Sequence, residues 1–183
     1  MDEQSGLNDV ATNVGKIFEE QIKKSLPDYV KFRRLNDSAQ SFGGTSNLRF
    51  SSNNPFDCFI WNSKQFRLYC LELKSKQGKS ISFERTKNDK GDIHYHQIVG
   101  LNEWDKYAGT VCGFLIEFRE IETTVFFHIR YFNELIEKLN KKSFSWGDLQ
   151  KSGLPYFVIP QEKKRTRYLY NMDAFLSNNN DIA

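Results

Sequence analysis

The stretch of residues 55–74 constrains the fold more than any other part of the chain, because its pattern predicts a β-hairpin. Two segments rich in aromatic and aliphatic residues, 56–61 and 66–73, are separated by a short polar run, which is typical of two antiparallel strands and their turn. Successive side chains of a strand point to opposite faces, so Glu72 and Lys74 share one face of the second strand. A core strand therefore ends in a carboxylate and an amine that point the same way.

Asp57 lies near the start of the first strand, and antiparallel pairing would place it close to Glu72. Two carboxylates near the end of a buried strand repel each other and resist desolvation, so the pattern predicts a cation between them. Oxygen ligands suit Mg²⁺ or Mn²⁺, which keep several waters and take one or two protein carboxylates. Such an ion lowers the pKa of a bound water and stabilises charge on a phosphoryl group. Lys74, on the same face as Glu72, would orient that water or neutralise the developing charge.

The hairpin also resembles a known signature. Asp57 followed by Glu72-Leu73-Lys74 on a hydrophobic hairpin is similar to the motif of the PD-(D/E)xK nuclease superfamily. Pro55-Phe56-Asp57 stands where that superfamily often has Pro-Asp, with one residue inserted. The segment from Gly15 to Glu19 resembles the first-helix motif of the RecU-type and archaeal Holliday junction resolvases, in which a Glu four residues after a Gly joins the metal site.

A third segment, His96-Gln97-Ile98, resembles one that follows the Glu-x-Lys strand in the RecU family. The order and spacing of these motifs hold from about Val14 to Leu169, so the chain resembles the RecU-type Holliday junction resolvases over most of its length. The resemblance implies an α/β protein with a restriction-endonuclease-like core, in which helices flank a central mixed β-sheet and a stalk-like segment is inserted. It also implies a homodimer that resolves four-way DNA junctions by symmetric paired nicks in recombination and repair, with other recombination proteins as further candidate partners.

The same resemblance assigns the candidate catalytic residues. Glu19, Asp57 and Glu72 would hold one or two Mg²⁺ or Mn²⁺ ions, Lys74 would position the attacking water, and Gln97 would turn toward the metal or a phosphate. On the residues alone, Glu19 fits equally well as a surface acid of an amphipathic helix, and Gln97 as a surface amide.

Two other functions fit the same residues. One is a restriction-like or repair nuclease of the same superfamily, which would share the site and differ in its preferred DNA structure. The other is a non-catalytic DNA-binding recombination protein that has kept the fold. The Asp57, Glu72 and Lys74 set disfavours the second alternative, because a protein that only binds DNA has no need of unpaired buried acids.

Length and composition favour one domain. The chain has 183 residues, 39% of them hydrophobic and 15% aromatic, which is enough for one well-filled core. We expect a single nuclease domain over 1–183, with an ordered core at about 10–170, an inserted stalk or flexible segment at 36–54 and a tail at 177–183. The sequence has no long apolar run and no basic segment followed by an apolar one at its start, which predicts a cytoplasmic protein without a membrane partner. The cysteines are few and widely spaced, which predicts that they are reduced and buried; they are Cys58, Cys70 and Cys112.

Basic residues occur in clusters, although the net charge is only +3. Each cluster could lie along a phosphate backbone, where counterion release supplies affinity, or could be an ordinary solvated face. The candidate DNA-binding residues are Arg33, Arg34, Arg49, Lys76, Lys79, Arg85 and Lys87.

Periodicity predicts the remaining elements. A helix is expected from about Val10 to Ser25, with Val14, Ile17, Phe18 and Ile22 as its apolar stripe, and a second helix over 93–107. Strands are expected at 110–118 and 123–130, followed by a helix at 131–140, and the segments 154–159 and 168–169 are expected to close the fold.

The histidines are not predicted to be metal ligands. His94 and His96 lie two positions apart in the predicted helix, so they should point to different faces and contact DNA or solvent. His128 lies in a predicted strand and is expected to be structural.

Overall fold

A computed structural model of the chain describes residues 3–35 and 54–177, with side chains from Val14 onward. The predicted inserted segment at 36–54, apart from Asn54, lies outside these residues, as do Arg49 and the predicted tail beyond Ser177. These predictions, and that of a single nuclease domain, stay predictions. In the described part of the chain, no helix is long and apolar enough to cross a membrane.

The described residues form five α-helices and ten β-strands. In order they are α1 (Glu3–Lys24), β1 (Val30–Arg34), β2 (Cys58–Asn62), β3 (Arg67–Lys76), β4 (Ser80–Ser82), α2 (Tyr95–Trp104), β5 (Thr110–Phe118), β6 (Thr123–His128), α3 (Ile129–Lys138), β7 (Ser143–Ser145), α4 (Trp146–Lys151), β8 (Phe157–Val158), β9 (Gln161–Lys164), β10 (Arg167–Tyr170) and α5 (Met172–Ser177). A single 3₁₀ turn, 119–121, joins β5 to β6 in this part of the structure.

Among the described residues, six strands form a mixed sheet in the order β1-β2-β3-β5-β6-β8. The pairing of β3 with β5 is parallel, and the other neighbouring strands of this sheet pair in antiparallel fashion. Two small two-stranded sheets, β4 with β7 and β9 with β10, lie outside it. The predicted fold class, an α/β protein with a central mixed sheet flanked by helices, is confirmed.

Helices cover both faces of the sheet. One hydrophobic cluster joins the sheet to α2, α3 and α4, and a second cluster joins it to α1 and α5. The central strand β5 contributes to both, since Phe114 and Ile116 belong to the first cluster and Val111 and Leu115 to the second. A strand that is buried on both faces must be nearly all apolar, which explains the continuous hydrophobic run that predicted it.

The predicted hairpin is present as β2 and β3. Cys58 pairs with Leu71 and Asn62 with Arg67. Phe66, which was expected to begin the second strand, instead lies in the turn with a positive φ of 54° and is 75% exposed. The register nevertheless brings the residue before Cys58 next to the residue after Leu71, as the predicted hairpin required.

Helix α1 differs from its prediction in extent and in the face it buries. It begins at Glu3 rather than near Val10. Phe18 and Ile22 are buried as expected, but Ile17 is 41% exposed and Gln21 is buried. The apolar stripe is therefore narrower than predicted, since only two of its members reach the core.

The predicted burial of the cysteines is confirmed. Cys58, Cys70 and Cys112 are all buried and unpaired with one another. Burial raises the pKa of the Cys58 thiol well above its usual range, so it stays protonated and unreactive.

Candidate active site

Asp57 and Glu72 meet on the hairpin. Asp57 immediately precedes β2, and its backbone N–H donates to the carbonyl of Leu71 at 3.1 Å. Oδ2 of Asp57 accepts a hydrogen bond of 2.8 Å from the backbone N–H of Leu73, which fixes the carboxylate against β3. The pairing of Cys58 with Leu71 places the preceding Asp57 opposite Glu72 on the neighbouring strand. The predicted proximity of these two acids is thus confirmed.

Glu72 is the buried centre of this group. It is 2% exposed, and its Oε1 accepts from Nζ of Lys74 at 2.8 Å and from Nε2 of Gln97 at 2.6 Å. Among the described residues, its Oε2 has no hydrogen-bond partner. An ionised Asp57 offers no donor either, because both carboxylates are then acceptors. The site therefore needs a proton or a cation on this side of Glu72.

Burial sets the protonation of the two acids. Desolvation, followed by the charge of Asp57, raises the pKa of Glu72 to about 8, and the Lys74 ammonium opposes this rise. Burial also raises the pKa of Asp57, against the hydrogen bond from Leu73 and the charge of Lys74. The raised pKa of Glu72 favours its protonated form when no cation is present.

Gln97 reaches the site from α2 and is 8% exposed, which excludes the surface-amide alternative. Its Oε1 accepts a 2.8 Å hydrogen bond from the backbone N–H of His94, so the amide is held at both ends and presents its NH₂ group to Glu72. The backbone of α2 lies very close to the start of the hairpin, since a Cβ on Gly100 would stand 2.4 Å from Cβ of Pro55. The lack of a side chain at Gly100 allows α2 to pack directly against the segment that carries Asp57.

Glu19 lies near Asp57 but forms an ion pair with Arg34. Its side chain is 17% exposed, and Oε2 lies 3.4 Å from Nη1 of Arg34. Burial raises the pKa of Glu19, the Arg34 guanidinium lowers it, and the charge of Asp57 raises it, so Glu19 and Asp57 are close enough to interact. Among the described residues, nothing lies within 4 Å of the position that a Cβ on Gly15, one turn earlier in α1, would take, so the hairpin does not fill this space.

The three predicted metal ligands are not assembled as one cluster. Within the described ranges, no group of three or more His, Cys, Asp or Glu side chains has the geometry to hold a metal ion. Asp57 and Glu72 by themselves fit Mg²⁺ or Mn²⁺, because these ions use one or two carboxylates and keep several waters. The unpartnered Oε2 of Glu72 is an acceptor that such an ion would satisfy. Binding by Glu19 requires that it first leave Arg34.

The histidine pair is arranged differently from its prediction. The rings of His94 and His96 are stacked, with centroids 5.6 Å apart and planes inclined by 11°. They do not point apart, because His94 is the extended N-cap of α2 and only His96 is in the helix. His94 is fixed by a 2.8 Å contact between Nδ1 and Oε1 of Glu84. Burial lowers the pKa of His96, and the charges of His94 and Lys74 act in the same direction.

His128 has the structural role expected of it. It is 1% exposed and caps α3, accepting from the backbone N–H of Arg130. Nε2 lies 3.3 Å from Oδ1 of Asp105. Burial lowers its pKa to about 4.

The predicted DNA-binding residues do not share one environment. Arg33 and Arg34 lie on β1 at the edge of the sheet. Lys76 pairs with Asp92 at 2.6 Å. The Arg85 guanidinium donates to the carbonyls of Ile136 and Leu139 at 2.7 and 2.6 Å, which closes the end of α3. The remaining two described candidates are exposed; they are Lys79, 4.0 Å from Glu120, and Lys87.

Sequence reasoning missed the pairing of Glu19 with Arg34 and the link between Glu84 and α2. Oε2 of Glu84 accepts from the backbone N–H of Tyr95 at 2.8 Å, so this residue anchors the start of α2. A carboxylate ten residues before a helix gives no periodic signal. The alternation of β1, which places Arg34 beside the hairpin, was the available signal for the first contact.

The fold and site together define an α/β protein with a buried carboxylate–lysine centre on a central strand of a mixed sheet. No family model matches the sequence. The chain belongs to the family of the SPbeta prophage-derived uncharacterized protein YotM of Bacillus subtilis, with 32% identity over 175 residues that cover 89% of this chain and 85% of the relative. A similar solved structure is that of Hjc, a Holliday junction resolvase from Archaeoglobus fulgidus, with a TM-score of 0.46, 12% identity, and coverage of 75% of this chain and 93% of that one.

Proposed function

We propose that this protein is a metal-dependent endonuclease that cleaves DNA phosphodiester bonds. The observation that carries the proposal is Glu72, a 2%-exposed carboxylate held by Lys74 and Gln97 beside a second carboxylate, with one oxygen unpartnered among the described residues. Two neighbouring carboxylates that share a single ammonium are costly to bury without a further cation, and acids with strongly shifted pKa values cluster at functional sites.

Asp57 and Glu72 are the proposed ligands of Mg²⁺ or Mn²⁺. When bound, the ion would supply an activated water and stabilise charge on the phosphoryl oxygens. Because the raised pKa of Glu72 favours its protonated form, binding of the ion by this carboxylate would release a proton from the site.

Lys74 and Gln97 supply the rest of the proposed chemistry. The Lys74 ammonium lies 2.8 Å from Glu72, and the Lys74 side chain is 18% exposed. It would orient the attacking water or neutralise charge on the phosphoryl group. Gln97 holds Oε1 of Glu72, which keeps the carboxylate in a fixed orientation.

The proposed substrate is a four-way DNA junction. This step rests on the motif order that resembles the RecU-type resolvases, with Glu19 before the hairpin and Gln97 after it. A junction has two-fold symmetry, so two symmetric nicks would require a homodimer with two related sites.

The alternative of a restriction-like or repair nuclease shares the site and differs only in substrate. The alternative of a non-catalytic DNA-binding protein is disfavoured by the buried acid pair. All three are separated by incubating the protein with synthetic four-way junctions and with linear duplex, with and without Mg²⁺.

Paired symmetric nicks on the junction alone support the resolvase. Equal cleavage of linear duplex supports the restriction-like alternative. Binding of DNA without cleavage, unchanged by Asp57→Ala, would contradict any nuclease function and favour the binding protein.

A further inference from the structure

Arg34 occupies a position from which its charge reaches two of the proposed metal ligands. It is the last residue of β1 and pairs with Cys58, directly beside Asp57. The next residue, Leu35, donates its backbone N–H to the carbonyl of Asp57 at 2.8 Å, which fixes the end of β1 against the site. The Arg34 guanidinium lies 3.4 Å from Glu19. Burial raises the pKa of both Glu19 and Asp57, and the charge of Arg34 opposes this rise.

We infer that Arg34 competes with the divalent cation for Glu19, so that the DNA-free protein holds this third carboxylate away from Asp57 and Glu72. This inference rests on the proposed function. The competition explains why the described ranges contain no three-carboxylate cluster. The charge of Asp57 nevertheless acts on Glu19 and contributes to its raised pKa, after the larger effect of burial. A guanidinium and a divalent ion both neutralise carboxylates, and Glu19 cannot satisfy both equally.

The competition also links the cation to DNA. The Arg34 side chain is 41% exposed at the edge of the sheet, so it can turn from Glu19 to a phosphate. A phosphate bound by Arg34 frees Glu19 for the cation, and the cation bound by Glu19 frees Arg34 for the phosphate. By thermodynamic linkage, the factor by which DNA tightens cation binding equals the factor by which the cation tightens DNA binding.

The direct test is a calorimetric titration of the DNA-free protein with Mg²⁺. Arg34→Gln should tighten Mg²⁺ binding by about five-fold or more, the lower range of coupling between linked sites. Arg33→Gln is the matched control, because it removes the same charge from the neighbouring position of β1, whose side chain points to the opposite face. It should leave Mg²⁺ affinity nearly unchanged.

A double substitution identifies the group that Arg34 acts on. In a Glu19→Gln background, Arg34→Gln should tighten Mg²⁺ binding much less, because only its charge effect on Asp57 remains. Persistence of the full gain in that background, or an equal gain in Arg33→Gln, would mean that Arg34 acts only through general charge, and would overturn the inference.

Junction binding in EDTA, measured by fluorescence anisotropy, gives a second readout that needs no metal. Glu19→Gln should bind DNA more tightly than the wild type, and the gain should vanish when Arg34→Gln is added. Absence of the gain would contradict the inference.

Failure of the inference is distinguishable from failure of the proposed function. If Mg²⁺ binds and Asp57→Asn abolishes that binding, but Arg34→Gln changes nothing, only the competition is wrong. If the wild type shows no Mg²⁺ binding that depends on Asp57, the proposed metal centre is wrong and the inference is overturned with it.

Discussion

Nε2 of Gln97 donates a 2.6 Å hydrogen bond to Oε1 of Glu72, which joins the first turn of α2 to the central strand β3. Gln97→Glu should weaken both stability and cleavage, because it keeps the acceptor for His94 but places a third carboxylate against Glu72. We expect a loss of about 1–3 kcal/mol in the free energy of unfolding, as for a buried polar group that loses its partner. Chemical denaturation at pH 8 measures this loss. Gln97→Glu that is as stable and as active as the wild type would show that the contact does not matter.

Without divalent cations, Glu72 should make stability depend on pH. Its pKa in the folded protein, about 8, lies above the usual glutamate value of 4.5, so the folded state retains a proton that the unfolded state loses. The resulting stabilisation is complete below pH 4.5 and is lost as the pH rises through 8. Glu72→Gln, which cannot ionise, should therefore be more stable than the wild type at pH 9 by about 1–3 kcal/mol.

Denaturant titrations of both proteins from pH 6 to 9 in EDTA test this prediction. Addition of Mg²⁺ should restore the wild type at pH 9 and leave Glu72→Gln unaffected. Parallel pH profiles for the two proteins in EDTA would contradict the raised pKa.

Gly100→Ala should displace the hairpin start from α2. The added Cβ would meet Cβ and Cα of Pro55 at 2.4 and 2.8 Å, and backbone atoms of a packed segment cannot move aside cheaply. We expect a loss of about 1–3 kcal/mol, typical of overpacking, together with lower cleavage because Asp57 moves with this segment. Gly15→Ala is the matched control, since its Cβ would meet none of the described residues within 4 Å and alanine favours a helix. Thermal unfolding of the two variants should therefore show shifts of opposite sign.

His128 should destabilise the protein in acid. Burial lowers its pKa from 6.5 to about 4. Between these two pH values the unfolded state therefore binds a proton that the folded state does not bind. The stabilisation is complete above pH 6.5 and is lost as the pH falls from 6.5 toward 4, by up to about 3 kcal/mol.

His128→Asn keeps an acceptor for the N–H of Arg130 at the start of α3 but does not titrate. Its unfolding free energy should therefore fall less than that of the wild type between pH 7 and pH 4. An equal fall in both proteins would assign the acid sensitivity to other groups.

The hairpin and its acids were predictable because they depend on local pattern. Alternation along β3 placed Glu72 and Lys74 on one face, and antiparallel pairing placed Asp57 beside them. For Gln97, the sequence left open whether its side chain turns toward the site or is a surface amide. Periodicity locates the face of a helix but does not identify the residue that it meets on the neighbouring strand. The resemblance to a known motif selected the alternative that the structure contains.

Other features depend on contacts that no local pattern encodes. The pairing of Glu19 with Arg34 joins two elements whose relative position is set by the whole sheet. The stacked rings of His94 and His96 depend on one residue being a cap rather than part of the helix. Strands β4, β7 and β9 are short and largely polar, and so give little hydrophobic periodicity.

The most direct test of the central claim is single-turnover cleavage of a synthetic four-way junction in Mg²⁺ by the wild type, Asp57→Asn, Lys74→Met and Lys76→Met. If Asp57, Glu72 and Lys74 form the reacting centre, Asp57→Asn and Lys74→Met should each lose about 10²-fold or more in rate, and Lys74→Met should bind the junction within a few-fold of the wild type. Lys76→Met, which loses the next amine on the same face of β3, should cleave nearly normally because Lys76 is paired with Asp92. Equal rates for all four proteins, or a loss in Lys74→Met that arises entirely from weaker DNA binding, would contradict the assignment of this centre to phosphodiester cleavage.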